Sequence, residues 1–159
     1  MAKKNNFNII DYTSKFIASV CFMGYLPVAP GTLGSLAGLF VYQFIYNDPV
    51  ISGIFILISI MLGLLTAGKV AKLFGEIDPS EIVIDEFAGM LLSVYLLPLT
   101  MGYMVSAFLL FRFFDIVKPK PISTMEKLNG SLGIMADDIM AGLYANLILQ
   151  VVYRVTLLF

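Results

Sequence analysis

VISGIFILISIMLGLLTA, residues 50–67, contains no charged side chain. A helix needs ~20 mostly apolar residues to cross the hydrocarbon of a bilayer, and this run nearly supplies them by itself. The surrounding sequence has the same character. Of the 159 residues 59% are hydrophobic and only 13% are charged, and the mean hydropathy is +0.91. Those values lie far from soluble averages and indicate an integral membrane protein. A net charge of -1 argues against nucleic acid as a partner, since such binding needs a basic surface to displace counterions.

Further apolar runs cover Leu33 to Tyr46, Ile82 to Leu97, Met101 to Phe114 and Ile139 to Phe159. Breaker chemistry separates them at Asn47-Asp48-Pro49, at Pro98 with Gly102, and at Lys118-Pro119-Lys120-Pro121. The expected fold is an all-α, polytopic membrane helix bundle forming one domain over 1–159. It has about five crossing or nearly crossing helices. Before them, MAKKNNFNIIDYTSK reads as an interfacial amphipathic helix rather than a signal segment, because VAPGTLGS makes a poor cleavage site. Cys21 has no second cysteine to pair with and reads as a small packing residue.

Basic residues orient this bundle. If the N-terminus is cytoplasmic, Lys3, Lys4, Lys15, Lys69, Lys72, Arg112, Lys118, Lys120 and Lys127 fall on the inner side and only Arg154 lies towards the outer one. The same alternation places five carboxylates on that inner face: Asp85, Glu86, Asp115, Asp137 and Asp138. An ionised carboxylate beside hydrocarbon is costly unless paired, hydrated or bound to a cation. With no His and one Cys, a metal here must be held by oxygen, which suits Mg²⁺, Mn²⁺ or Ca²⁺.

Each motif has a functional and a plain structural reading. In SEIVIDEFAGM, Glu81, Asp85 and Gly89 share a helical face and Glu86 lies ~100° around it, so the adjacent acids would serve different ligands. In GYLPVAPGTLGSLAG, Thr32 is placed as an N-cap, Ser35 offers a hydroxyl, and the free N–H groups of the first turn form an anion site. The plain alternative is capping, with Gly34 and Gly38 allowing close helix approach. Arg112 and Asp115 fit an i,i+3 ion pair, and Lys118 beside the rigid Pro119 could present its ammonium to a phosphate. Asp137 and Asp138 are expected in the first turn of the last helix, Asp137 as a cap or catalytic acid and Asp138 as a metal ligand. Asn146 and Gln150 continue the Asp138 face as interhelical hydrogen-bonding groups.

Taken together and in this order, PVAPGTLGS, IVIDEFAGM, FRFFDIVKPKPI and GIMADDIMAG resemble the phosphatidylglycerophosphatase A family of bacterial membrane phosphatases, over Gly24 to around Asn146. The resemblance implies Mg²⁺-dependent removal of the terminal phosphate of phosphatidylglycerophosphate at the bacterial inner membrane. Carried over by position, Asp85, Glu86, Asp115, Asp137 and Asp138 are the acidic site residues. Asp85, Glu86, Asp115 and Asp138 are the expected Mg²⁺ ligands, and Thr32, Ser35, Arg112 and Lys118 the phosphate-binding groups. No protein partner is implied. The competing classes are an ion-coupled transporter, which should show paired repeats and mid-membrane charge, and another Mg²⁺-dependent lipid headgroup enzyme.

Overall fold

The computed structural model describes residues 8–158. It is all-helical, with no strand among the described residues. The elements are α1 (Ile9–Ala18), a 3-10 turn (Met23–Tyr25), α2 (Pro30–Ile45), α3 (Pro49–Phe74), α4 (Ile84–Val94), α5 (Met101–Val117), α6 (Ile122–Met125) and α7 (Ser131–Thr156). The breakers act as their chemistry dictates. Asp48 caps α3 by accepting from Val50 N and Ile51 N at 2.8 and 3.1 Å, with Pro49 at the first helical position.

Helix α4 is the axis of the bundle. Nine of its eleven residues are buried, and α2, α3, α5 and α7 pack around it. Glycines bring the backbones together: a Cβ on Gly38 would lie 2.7 Å from the Phe87 carbonyl oxygen, and one on Gly142 would collide with that of Gly89. The hydroxyl groups buried inside the bundle are satisfied locally. Ser35, Ser59, Thr66 and Ser93 donate to the carbonyls of Gly31, Phe55, Leu62 and Gly89, one turn back.

Large apolar side chains point outward. Met101, Val105, Leu109, Phe113 and Ile116 form an exposed stripe along α5, and Leu36, Phe40 and Phe44 do the same on α2. Comparable stripes run along α3 and α7. Small polar groups within and continuous hydrocarbon outside invert the soluble pattern and give a surface suited to lipid. Helices α3 and α7 have 26 residues each, and both are long and apolar enough to cross a membrane.

Four expectations change. The Ile82 to Leu97 run makes a helix of only 11 residues, ~16 Å long at 1.5 Å per residue. Its continuation, Tyr95 to Thr100, is non-helical. Glu81 lies in a turn before α4, so it does not share a helical face with Asp85. Helix α7 starts at Ser131, which puts Asp137 and Asp138 in its second turn, where they cap nothing. Cys21 is exposed, in a Val20 to Phe22 segment whose φ angles are all positive, so it is not a packing residue. The helix expected near the N-terminus is α1 from Ile9, where Ile9, Ile10, Tyr12 and Phe16 are exposed; Lys3 and Lys4 lie outside the described residues.

Candidate active site

Four helix ends and one loop meet at the same end of the bundle. Asp85 and Glu86 come from the first turn of α4, Asp138 from the second turn of α7, and Arg112 and Asp115 from the last turns of α5. The acids stand here because α4 begins inside the bundle, at Val83, whose N–H is bonded to the Ala18 carbonyl at 2.9 Å. A first turn that would ordinarily be solvated is therefore enclosed. Asp85 and Asp138 are 6% and 3% exposed.

One carboxylate oxygen from each of Asp85, Glu86 and Asp138 lies within 4.8 Å of the others. Asp115 adjoins the group, in side-chain contact with Asp138, and Arg112 Nη1 lies 2.8 Å from Asp115 Oδ2. That ion pair is a charge contact without an aligned hydrogen bond, since Arg112 Nη1 has no acceptor in suitable geometry. Glu86 Oε2 is likewise buried without a donor. The donor set fits a hard divalent cation. It offers only oxygen, carries excess negative charge, and includes a buried carboxylate oxygen that nothing in the protein satisfies.

The start of α2 forms one wall. Gly31 lies against Glu86 and Arg112: a Cβ at position 31 would collide with Glu86 Oε1 and come within 3.3 Å of Arg112 Nη1. The N-cap of α2 is Ala29, in a left-handed conformation and with no side-chain cap, so Thr32 is the third helical residue rather than the cap. The N–H groups of Gly31 and Thr32 therefore have no partner within the helix. Ser35 is fully buried and its proton is committed to the Gly31 carbonyl at 2.8 Å, so it presents no free donor.

Asp137 and Lys118 sit apart from the three-carboxylate group. Lys118, the left-handed C-cap of α5, donates to Asp137 Oδ2 at 2.7 Å and Glu126 Oε1 at 3.0 Å. Burial alone would lower the Lys118 pKa, but these two bonds outweigh it and hold the ammonium above the ordinary lysine range. Beside it a cleft of about 70 Å³ is lined by Ile77, Asp78, Glu126, Gly130, Ile134 and Asp137. Asp78 is exposed as a residue, but its place in the cleft partly desolvates its carboxyl group. That desolvation, followed by the like charge of Asp137, raises its pKa against the pull of Lys118.

Sequence reasoning missed Asp78 and Glu126. Asp78 precedes Pro79 in a short connection and carries only the signature of a turn, while Glu126 lies in a polar stretch that no hydrophobic pattern marks. The return of the Pro119 to Gly130 segment brings Glu126 to Lys118, and the connection between α3 and α4 brings Asp78 to the same cleft.

The phosphatidylglycerophosphatase A family model matches residues 16–153. A Bacteroides thetaiotaomicron protein, named provisionally as a phosphatidylinositol-3-phosphatase, is 33% identical over 80% of this chain and 86% of its own. Proteins named phosphatidylglycerophosphatase A from Haemophilus influenzae and Escherichia coli are 39% and 37% identical. They cover 79% and 75% of this chain, and 79% and 71% of their own lengths. No solved structure matches significantly.

Proposed function

Because the chain belongs to the phosphatidylglycerophosphatase A family, and so is a phosphatase, we propose that it hydrolyses the terminal phosphate of phosphatidylglycerophosphate to phosphatidylglycerol and phosphate, using Mg²⁺. The observation that carries the site assignment is the convergence of Asp85, Glu86 and Asp138. These three, with Asp115 beside them, would hold the cation. When bound, Mg²⁺ supplies charge neutralisation at the phosphoryl oxygens and acidifies a water.

The chain's own residues account for the remaining requirements. A phosphate monoester approaching this end meets five carboxylates of the original set, plus Asp78 and Glu126, against Arg112 and Lys118. Its entry therefore depends on cations and on directed donors. Arg112 has an unused buried N–H, and the uncapped first turn of α2 directs N–H groups at the same space. Lys118 adds an ammonium from the rim. Asp137, paired with Lys118, acts as its counterion and not as a metal ligand. With no His in the chain, proton transfer falls to carboxyl groups or water.

We place the protein in a bacterial cytoplasmic membrane with the N-terminus and the site facing the cytoplasm. Lys15, Lys69, Lys72, Lys118, Lys120 and Lys127 are at the site end and Arg154 at the other, which satisfies the positive-inside rule. Helices α2, α3, α5 and α7 supply four crossings. The fifth is α4 completed by Tyr95 to Thr100, non-helical backbone of the kind tolerated at depth only within protein.

Phosphate release by purified protein in mixed micelles tests the assignment, with phosphatidylglycerophosphate and phosphatidylinositol 3-phosphate as rival substrates. The Bacteroides relative's name favours the second. Faster turnover of phosphatidylglycerophosphate, abolished by EDTA and restored by Mg²⁺, is the expected result. Preference for the inositide would overturn the substrate, and undiminished release after verified metal removal would overturn the cation.

A further inference from the structure

Glu126 belongs to none of the four motifs, yet it holds one of the two cations at the site. The two carboxylates on Lys118 are not equivalent. The Asp137 side chain is 7% exposed and bonded at 2.7 Å, whereas that of Glu126 is 54% exposed and bonded at 3.0 Å. Losing Lys118 would strand Asp137 as a buried, unpaired charge, a strongly unfavourable change. Glu126 would simply be rehydrated, because half-exposed pairs contribute little. Glu126 is the C-cap of the short α6, whose Ile122 is fully buried and anchors the segment, so the exposed carboxylate can leave Lys118 by side-chain rotation without moving the backbone.

We propose that Glu126 competes with the substrate phosphate for Lys118, holding the ammonium in the substrate-free enzyme and yielding it to phosphoryl oxygens on binding. This rests on Lys118 being a phosphate ligand in the reading above. An ammonium has three donors and no fixed fork, so it can exchange one acceptor for another while keeping Asp137. Charge drives the exchange. Lys118, Asp137 and Glu126 together sum to one negative charge, with Asp78 adding to it nearby, and a phosphate dianion is repelled until Glu126 turns away.

The test measures KM, kcat and the Ki of inorganic phosphate for Glu126→Gln, alone and with Lys118→Gln. Glu126→Gln should lower KM and Ki by about two- to fivefold, the scale of a half-exposed ion pair, without lowering kcat. Glu126→Asp, one methylene too short to keep the contact, should lower them too. Both changes should vanish in the Lys118→Gln background. Unchanged or raised KM and Ki in both Glu126 variants, with Lys118→Gln still weakening phosphate, would overturn the competition and leave the contact a structural strap. If Lys118→Gln itself changes neither constant, Lys118 is no phosphate ligand and the underlying reading fails.

Discussion

The two ends of the bundle both bury polar groups around α4, but only one end satisfies them from within. At the end of α4 distal to the site, Asn146 Nδ2 donates to the Ser93 and Tyr95 carbonyls at 3.2 and 2.8 Å, and Gln150 Nε2 to those of Tyr95 and Leu96 at 3.2 Å. Tyr42 accepts from Leu96 N at 3.2 Å, and Tyr95 donates to the Pro49 carbonyl. The Asn146 and Gln150 bonds serve the carbonyls freed where α4 stops. At the site end, by contrast, acids face acids, and Glu86 Oε2 and Arg112 Nη1 are buried without a hydrogen-bond partner. Both ends are polar inside an apolar bundle. Orphaned groups, rather than polarity, separate a site from a structural joint.

Neutralising the carboxylates tests this contrast most severely. Asp85→Asn, Glu86→Gln, Asp115→Asn and Asp138→Asn should each reduce phosphate release at saturating Mg²⁺ by ~10²-fold or more, the scale for electrostatic groups acting in a transition state. Stability should move the other way. In EDTA the Asp85, Glu86 and Asp138 variants should unfold at temperatures equal to or above that of the parent, because each removes a like charge from a buried cluster, whereas Asp115→Asn also takes the counterion from Arg112 and should not gain stability. Near-normal rates in two of the four would dissolve the shared site.

Gly31→Ala probes the wall of the same end. The added methyl meets the tip of the Glu86 side chain and not rigid backbone, so the carboxylate can swing aside and the fold survives. Displacing it by about an ångström should still cost ~10- to 100-fold in rate, the sensitivity expected of positioned groups. A kinetically silent Gly31→Ala with an intact fold would show that the start of α2 is not part of the site.

At the opposite end the pattern should reverse. Asn146→Ala withdraws donors from two carbonyls and should cost ~1–2 kcal/mol of stability, near the upper range for hydrogen bonds between membrane helices. Turnover per folded molecule should be unchanged. Loss of rate exceeding loss of fold would mean the two ends are coupled through α4.

How far these roles were legible follows from which physical signals are local. The cost of a charge beside hydrocarbon is written into IVIDEFAGM and ADDIMAG, so Asp85, Glu86 and Asp138 stood out, as did the i,i+3 pairing of Arg112 with Asp115. The Asn146 and Gln150 stripe was readable as interhelical bonding for the same reason. Element ends were less legible. The apolar run from Ile82 to Leu97 gives no sign that its helix ends at Val94, because the groups permitting that end lie on α7, some fifty residues away, at Asn146 and Gln150. The cap assigned to Thr32 failed because Pro30 starts the helix from a left-handed Ala29, a conformation that alanine as a residue type does not announce. The long-range pairing of Lys118 with Asp137 and Glu126 has no periodic signature at all.

The smallest expected effect is the narrowest test of the contrast, because it separates two lysines only two positions apart. Lys118 is half-buried and bonded to two carboxylates, while Lys120 is exposed and makes no ion pair among the described residues. If the site is defined by enclosed, unsatisfied charge, proximity in sequence gives Lys120 no share in it. Its positive charge then serves only orientation and the general attraction of the basic rim for an anionic membrane surface, ~1 kcal/mol per residue and screened by salt. Lys120→Ala should therefore leave kcat within twofold in detergent micelles, and any change in KM should appear only with anionic vesicles and disappear as ionic strength rises. A tenfold loss of kcat in neutral micelles would place Lys120 against the reacting phosphate and extend the site along the Pro119 to Pro121 segment, beyond the enclosed end of the bundle.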